Sequence, residues 1–238
     1  MSTIEQTSDI FTSDNVNLTF FVYLCIVKNR TPQLDLVEFI ERNILPRYAE
    51  FDAAHNLSHV TGVIKRALKL ADRFGADVDM VYTIAAYHDI GMGGPRAVHH
   101  LAGAKMLAKD ARLKRWFSQE QIRIMKEAVE DHRASAARAP RSLYGKIVAE
   151  ADRDLEPESV FRRTVQYGLA NYPGLNKEEH WARFLSHMDN KYSTHGYIRL
   201  WLQGTDNEEH LRQVRAMIEN PAVLRGTFDR IYYDLTSE

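Results

Sequence analysis

From Leu34 onward, apolar residues return every three or four positions rather than every second one. That spacing marks helices with a single buried stripe. Val60, Val63, Ile64, Ala67, Leu68 and Ala71 form the clearest stripe. Ser58 is a candidate cap for this helix, which can also begin a turn earlier, and Gly75 is its stop. Segment 78–89 differs, because Val81, Tyr82, Ile84, Ala85 and Ala86 make it apolar nearly all round, as in a helix at the centre of a bundle. It must end at Gly91-Met92-Gly93-Gly94-Pro95, a run of helix breakers. Helices are expected next over 98–109 and 118–132. In the second, Ile122, Met125 and Val129 share a face, and Ser118 with Gln121 has the form of a capping box. The loop 133–140 is rich in Ala and Arg, and Pro140 suits the first turn of a helix carrying Leu143, Ile147, Val148 and Ala151. Beyond Pro157, three or four more amphipathic helices are expected. One carries Trp181, Phe184, Leu185, Met188 and Tyr192, and breaks fall at Pro173-Gly174 and Gly204. No repeat and no alternating strand pattern of any length interrupts this. The fold class is all-α, with a core over 32–157 and a helical cover over 158–238 belonging to the same domain.

Residues 1–31 stand apart as an N-terminal extension. The apolar run 18–27 is about half the ~20 residues needed to cross a bilayer. Glu5, Asp9 and Asp14 precede it, the reverse of a secretory signal's basic start. The run is expected to pack as a strand or short helix, with no membrane partner and a cytoplasmic location. Cys25 is the only cysteine, which excludes an internal disulfide and suits a reducing compartment. Lys and Arg total 31 against 32 Asp and Glu, so no global basic field draws in nucleic acid. A phosphate-bearing partner must therefore be held by a local cluster. A homodimer stays open.

Candidate chemistry comes from polar residues set on apolar stripes. His132 lies three residues after Val129 and seven after Met125, continuing a buried face. Asp152 follows Val148 by four, and His88 and Asp89 end the most hydrophobic helix. Several carboxylates buried in one place need a compensating cation. Imidazole nitrogen with carboxylate oxygen suits Fe, Mn, Ni or Zn, with Mg allowed, at one or two ions per chain. The bland alternative for any one of these residues alone is a core histidine hydrogen-bonded to an acid.

The order of these residues resembles the HD domain. Ser58-His59-Val60 opens a helix, Tyr87-His88-Asp89-Ile90-Gly91 follows, and His132 and Ala151-Asp152 come later. The resemblance covers roughly residues 45–157 and implies a metal-dependent phosphohydrolase acting on a phosphorylated small molecule, such as a nucleotide, through metal-activated water. His99-His100-Leu101-Ala102-Gly103-Ala104 is similar to an H-x-x-x-G-A element of the binuclear branch, and 143–157 resembles the closing segment of its bacterial diadenosine tetraphosphate hydrolases. Carried over, Asp89 would bridge two metals, with His59, His88 and Asp152 completing one site and His99 and His132 the other. Helical phase leaves His99 and His100 open; the motif spacing favours His99. His55 is the candidate for touching substrate, or else a helix-start histidine. Family members that hydrolyse guanosine tetraphosphate carry two acids after the His-Asp pair. Ile90-Gly91-Met92 stands there instead, which disfavours that substrate.

Lys105, Arg133, Arg138, Arg141 and Lys146 flank the histidines and are candidates for meeting phosphate charge, Arg133 first because its planar fork is bidentate. Each taken singly could instead be a solubilising charge. Asp131 and Asp154 are candidates for orienting ligand histidines. Two rival functions share these residues: an HD-type di-iron oxygenase, and a non-catalytic metal-stabilised nucleotide-binding module. Trp181, Tyr192, Tyr197 and Trp201 could wall a base pocket, although core packing is the commoner use of such a stripe.

Overall fold

The computed structural model describes residues 31–51, 55–135 and 138–237. The apolar run 18–27 and the rest of the N-terminal extension up to residue 30 lie outside them. Among the described residues there is no strand, and the expected helices all form. They are α1 (Leu34–Asn43), α2 (Leu57–Phe74), α3 (Val78–Tyr87), α4 (His99–Lys109), α5 (Gln119–Asp131), α6 (Leu143–Asp152), α7 (Pro157–Asn171), α8 (Lys177–Tyr192), α9 (Asp206–Ile218) and α10 (Pro221–Thr236). Short 3-10 turns link several of them, including Leu45–Glu50 and Ile90–Gly93.

α3 is the axis of the first layer. Every residue from Met80 to Tyr87 is buried, and the helix packs against α2, α5 and α6. This explains why its sequence is apolar on all faces: no side of it meets water. The breakers after it act as expected, and the chain leaves the α-helix for the turn Ile90–Gly93.

Local chemistry sets the boundaries. Asn56, not Ser58, caps α2, its side chain accepting the His59 N–H at 3.1 Å. Gly75 closes α2 with φ +67°, a left-handed position where glycine has no Cβ to strain. Ser118 and Gln121 form the capping box reciprocally. Pro140 is a correction. It lies ahead of α6 rather than in its first turn, because Ser142 caps the helix by accepting from Gly145 N–H and so satisfies a donor that proline can only omit.

α7–α10 are the four helices after Pro157, and they build a second apolar cluster around Phe161, Phe184, Met188, Tyr192 and Phe228. Leu185 falls outside the stripe and is exposed. Trp181 packs on Phe184 and Phe228, and Tyr192 is buried, so these aromatics serve the core. The two layers are tied at α6. Thr205 donates to the Glu150 carboxylate at 2.7 Å, and Asn207 donates to the backbone carbonyls of Glu150 and Arg153.

Candidate metal centre

Six polar residues arrive at one point because five helices begin or end there. His59 sits in the first turn of α2, and His88 and Asp89 directly follow α3. His99 opens α4, His132 caps the end of α5, and Asp152 is the last residue of α6. His88, Asp89 and His132 are buried. Helix ends also carry carbonyls with no partner inside the helix. His88 Nδ1 lies 2.7 Å from the Ala85 carbonyl, His132 Nδ1 2.6 Å from that of Val129, and His99 Nδ1 2.7 Å from that of Arg96. A carbonyl only accepts, so each of these Nδ1 atoms carries the hydrogen and each Nε2 faces inward, offering a lone pair to a cation or, in the imidazolium, an N–H to a carboxylate.

The inward-facing nitrogens, with Nε2 of His59, fall into two sets that share one carboxylate. Asp89 Oδ2 is 3.2 Å from His88 Nε2 and 3.6 Å from His59 Nε2, and Asp152 Oδ1 is 3.3 Å from His59 Nε2. Asp89 Oδ1 is 3.2 Å from His99 Nε2 and 3.4 Å from His132 Nε2. Within the sets, His59 and His88 bring their Nε2 atoms to 3.2 Å, and so do His99 and His132. Two acceptors at that distance repel unless a proton or a cation lies between them. The residues therefore fit divalent cations, one among His59, His88, Asp89 and Asp152, the other among Asp89, His99 and His132.

The charge balance agrees. Burial pulls the His59 imidazole toward neutrality, but hydrogen bonds to Asp152 and Asp89 outweigh it and raise its pKa to about 9. Burial would raise the Asp89 carboxyl, yet the His88 charge and hydrogen bonds from His132 and His59 hold it well below the usual carboxylate range. Asp152 is lowered in the same way, against burial, by His59 and His88. Without an ion, His59 holds a proton where a cation would sit.

Of the two neighbouring histidines, His99 joins the cluster. His100 is half-buried beside it, and burial together with the Arg133 charge lowers its pKa to about 4. The His55 ring lies edge-on to that of His59, centroids 5.9 Å apart. Arg133 Nη1 donates to the Ala97 carbonyl at 2.9 Å, bracing the turn that leads into His99. Arg141 is held by Asp131 and Glu130. Lys105 and Arg138 are exposed, and Lys146 is half-buried. Asp131 does not orient His132: its carboxylate is occupied by Arg141, and the Val129 carbonyl performs that task. Asp154 likewise bonds backbone, accepting from Glu156 N–H.

Two residues near the centre escaped the sequence reading. The buried Tyr48 hydroxyl donates to the Ala86 carbonyl at 2.9 Å and accepts the Asp89 N–H at 3.3 Å, pinning the bridging residue. Arg66 Nε donates at 2.7 Å to the Ala151 carbonyl, next to Asp152. The seven-residue step from His59 to Arg66 was a usable signal for the second. Nothing in the sequence distinguished Tyr48 from an ordinary core tyrosine.

Residues 56–155 match the family model of the HD domain. The matched segment contains all six residues of the two donor sets. No curated protein matches the chain. Among solved structures, Bacillus subtilis YpgQ in complex with ADP is similar, at 18% identity and TM-score 0.54, covering 82% of this chain and 95% of that one. A protein described as a predicted HD superfamily hydrolase from an uncultured Thermotogales bacterium is also similar, at 19% identity and TM-score 0.47, over 85% and 92% of the two chains. The YpgQ likeness extends over most of the chain and supports its all-helical fold.

Proposed function

We propose that this protein is a metal-dependent phosphohydrolase that cleaves a phosphoester or phosphoanhydride bond of a nucleotide. The observation that carries this reading is the Asp89 carboxylate, with one oxygen facing His59 and His88 and the other facing His99 and His132. These sets would hold divalent ions, which when bound would supply an acidified water and neutralise charge developing on phosphate. The chain supplies the rest. Backbone carbonyls fix three imidazoles in the tautomer that directs Nε2 inward, so no reorganisation is needed when an ion enters. His55, whose ring meets that of His59 edge to face, would touch the substrate and pass a proton to or from it. Arg133 steadies the approach to His99 and offers its remaining N–H groups to phosphate. Lys105, Arg138 and Lys146 are assigned to the surrounding positive rim, whereas the Arg141 fork is taken up by Asp131 and Glu130. The ADP bound to YpgQ supports a nucleotide as the substrate class.

Elemental analysis of freshly purified protein, joined to a phosphate-release assay over nucleoside mono-, di- and triphosphates and dinucleoside polyphosphates, tests this. Release that depends on metal supports the reading. Oxygen uptake by the iron-loaded protein without phosphate release would replace it with the oxygenase reading. Tight ADP binding without turnover under any metal would replace it with a binding module.

A further inference from the structure

His59, Gly62 and Arg66 lie on one face of α2, three and seven residues apart. Long side chains on a helix lean back toward its N-terminus, and Arg66 does so. A Cβ at position 62 would fall 3.3 Å from Arg66 Nη1, tighter than an ordinary contact, so glycine leaves the floor on which the guanidinium rests. The third nitrogen, Nε, is fixed at 2.7 Å on the Ala151 carbonyl. Asp152, the next residue, reaches His59 at 3.3 Å. The guanidinium thus lies between Gly62 of α2 and the C-terminal turn of α6, within electrostatic reach of Asp152.

The two Nη groups make no hydrogen bond to any described residue. An arginine used only to hold α6 would spend its fork on that helix. This one spends a single N–H there and leaves the paired donors over. Such a fork, half-buried and anchored by its stem, matches the oxygens of a phosphate. Asp152 and Asp154 lie close enough to attract it, and Arg163 adds a second positive charge nearby. An ion on Asp152 would take up that carboxylate's charge and leave the guanidinium free to meet an anion.

Resting on the phosphohydrolase reading, we infer that Arg66 binds a phosphate group of the substrate at the edge of the His59–His88–Asp152 position, on a seat made by Gly62. Isothermal titration of inorganic phosphate into the metal-loaded full-length chain tests it, alongside Arg66→Gln. The expected result is a loss of at least tenfold in phosphate affinity with metal content unchanged. Gly62→Val guards against a folding defect, because it keeps Arg66 while filling its seat; the same loss is expected. The inference is overturned if loaded wild-type protein binds no phosphate. It is overturned equally if Arg66→Gln changes affinity less than threefold, or if metal content falls with the affinity, which would make Arg66 a positioning residue for Asp152. Wild-type hydrolysis is scored separately. Arg66-dependent phosphate binding without hydrolysis of any nucleotide would support the contact while counting against the proposed reaction.

Discussion

Gly91 and Gly103 meet backbone to backbone beneath His99: a Cβ added to Gly91 would fall 2.7 Å from the Gly103 nitrogen and would also collide with the His99 carbonyl oxygen. The turn after Asp89 and the helix that carries His99 are thereby locked at a spacing only glycine permits. Backbone atoms cannot swing aside as a flexible side chain can. Gly91→Ala should push α4 away from α3 and detach His99 from the shared carboxylate. The expected outcome is loss of about half the bound metal, with the His59–His88–Asp152 position retained. Metal content by elemental analysis checks this, and an unchanged content would show that α4 can slide.

Tyr48→Phe removes one hydroxyl and leaves two buried groups unpaired, the Ala86 carbonyl and the Asp89 N–H. A destabilisation of about 1–3 kcal/mol is expected from those lost partners. Metal affinity should fall as well, because Asp89 loses its tether. Chemical denaturation with and without metal reads both effects. Lost stability with unchanged affinity would mean that Tyr48 serves the core alone.

The metal-free protein should respond to pH in a defined direction. The His59 pKa is raised from 6.5 to about 9, so the stabilisation it contributes is complete below pH 6.5 and is lost as pH rises toward 9. Asp89 and Asp152 are lowered, so their contribution is present above about pH 4 and is lost as pH falls through their depressed values. An ion must displace the His59 proton, and its binding gains as pH rises. The difference in Tm between metal-loaded and chelator-treated protein should therefore widen from pH 6.5 to 9. A difference that narrows over that window would contradict the proton–metal exchange.

The donor set was legible because imidazoles and carboxylates interrupt apolar stripes. His132 after Met125 and Val129, and Asp152 after Val148, could only be buried if something compensated them. α3 was legible for the opposite reason, being apolar on every face. What escaped depends on three-dimensional approach. Tyr48 reads as one more apolar residue, and only the folded chain brings its hydroxyl to Asp89, 41 residues away. Arg66 caps a carbonyl 85 residues away, which no local pattern encodes. Asp131, a candidate in the sequence for orienting a ligand histidine, lies next to His132 in the chain. Helix geometry instead turns neighbouring side chains about 100° apart, leaving Asp131 to Arg141.

The account rests on Asp89 serving two cations at once, one through each oxygen. Anomalous diffraction from crystals of the full chain grown with manganese tests this most directly. The account predicts two peaks flanking Asp89, one among His59, His88 and Asp152 and the other between His99 and His132. Fewer than two peaks, or an Asp89 carboxylate turned away from them, would contradict it.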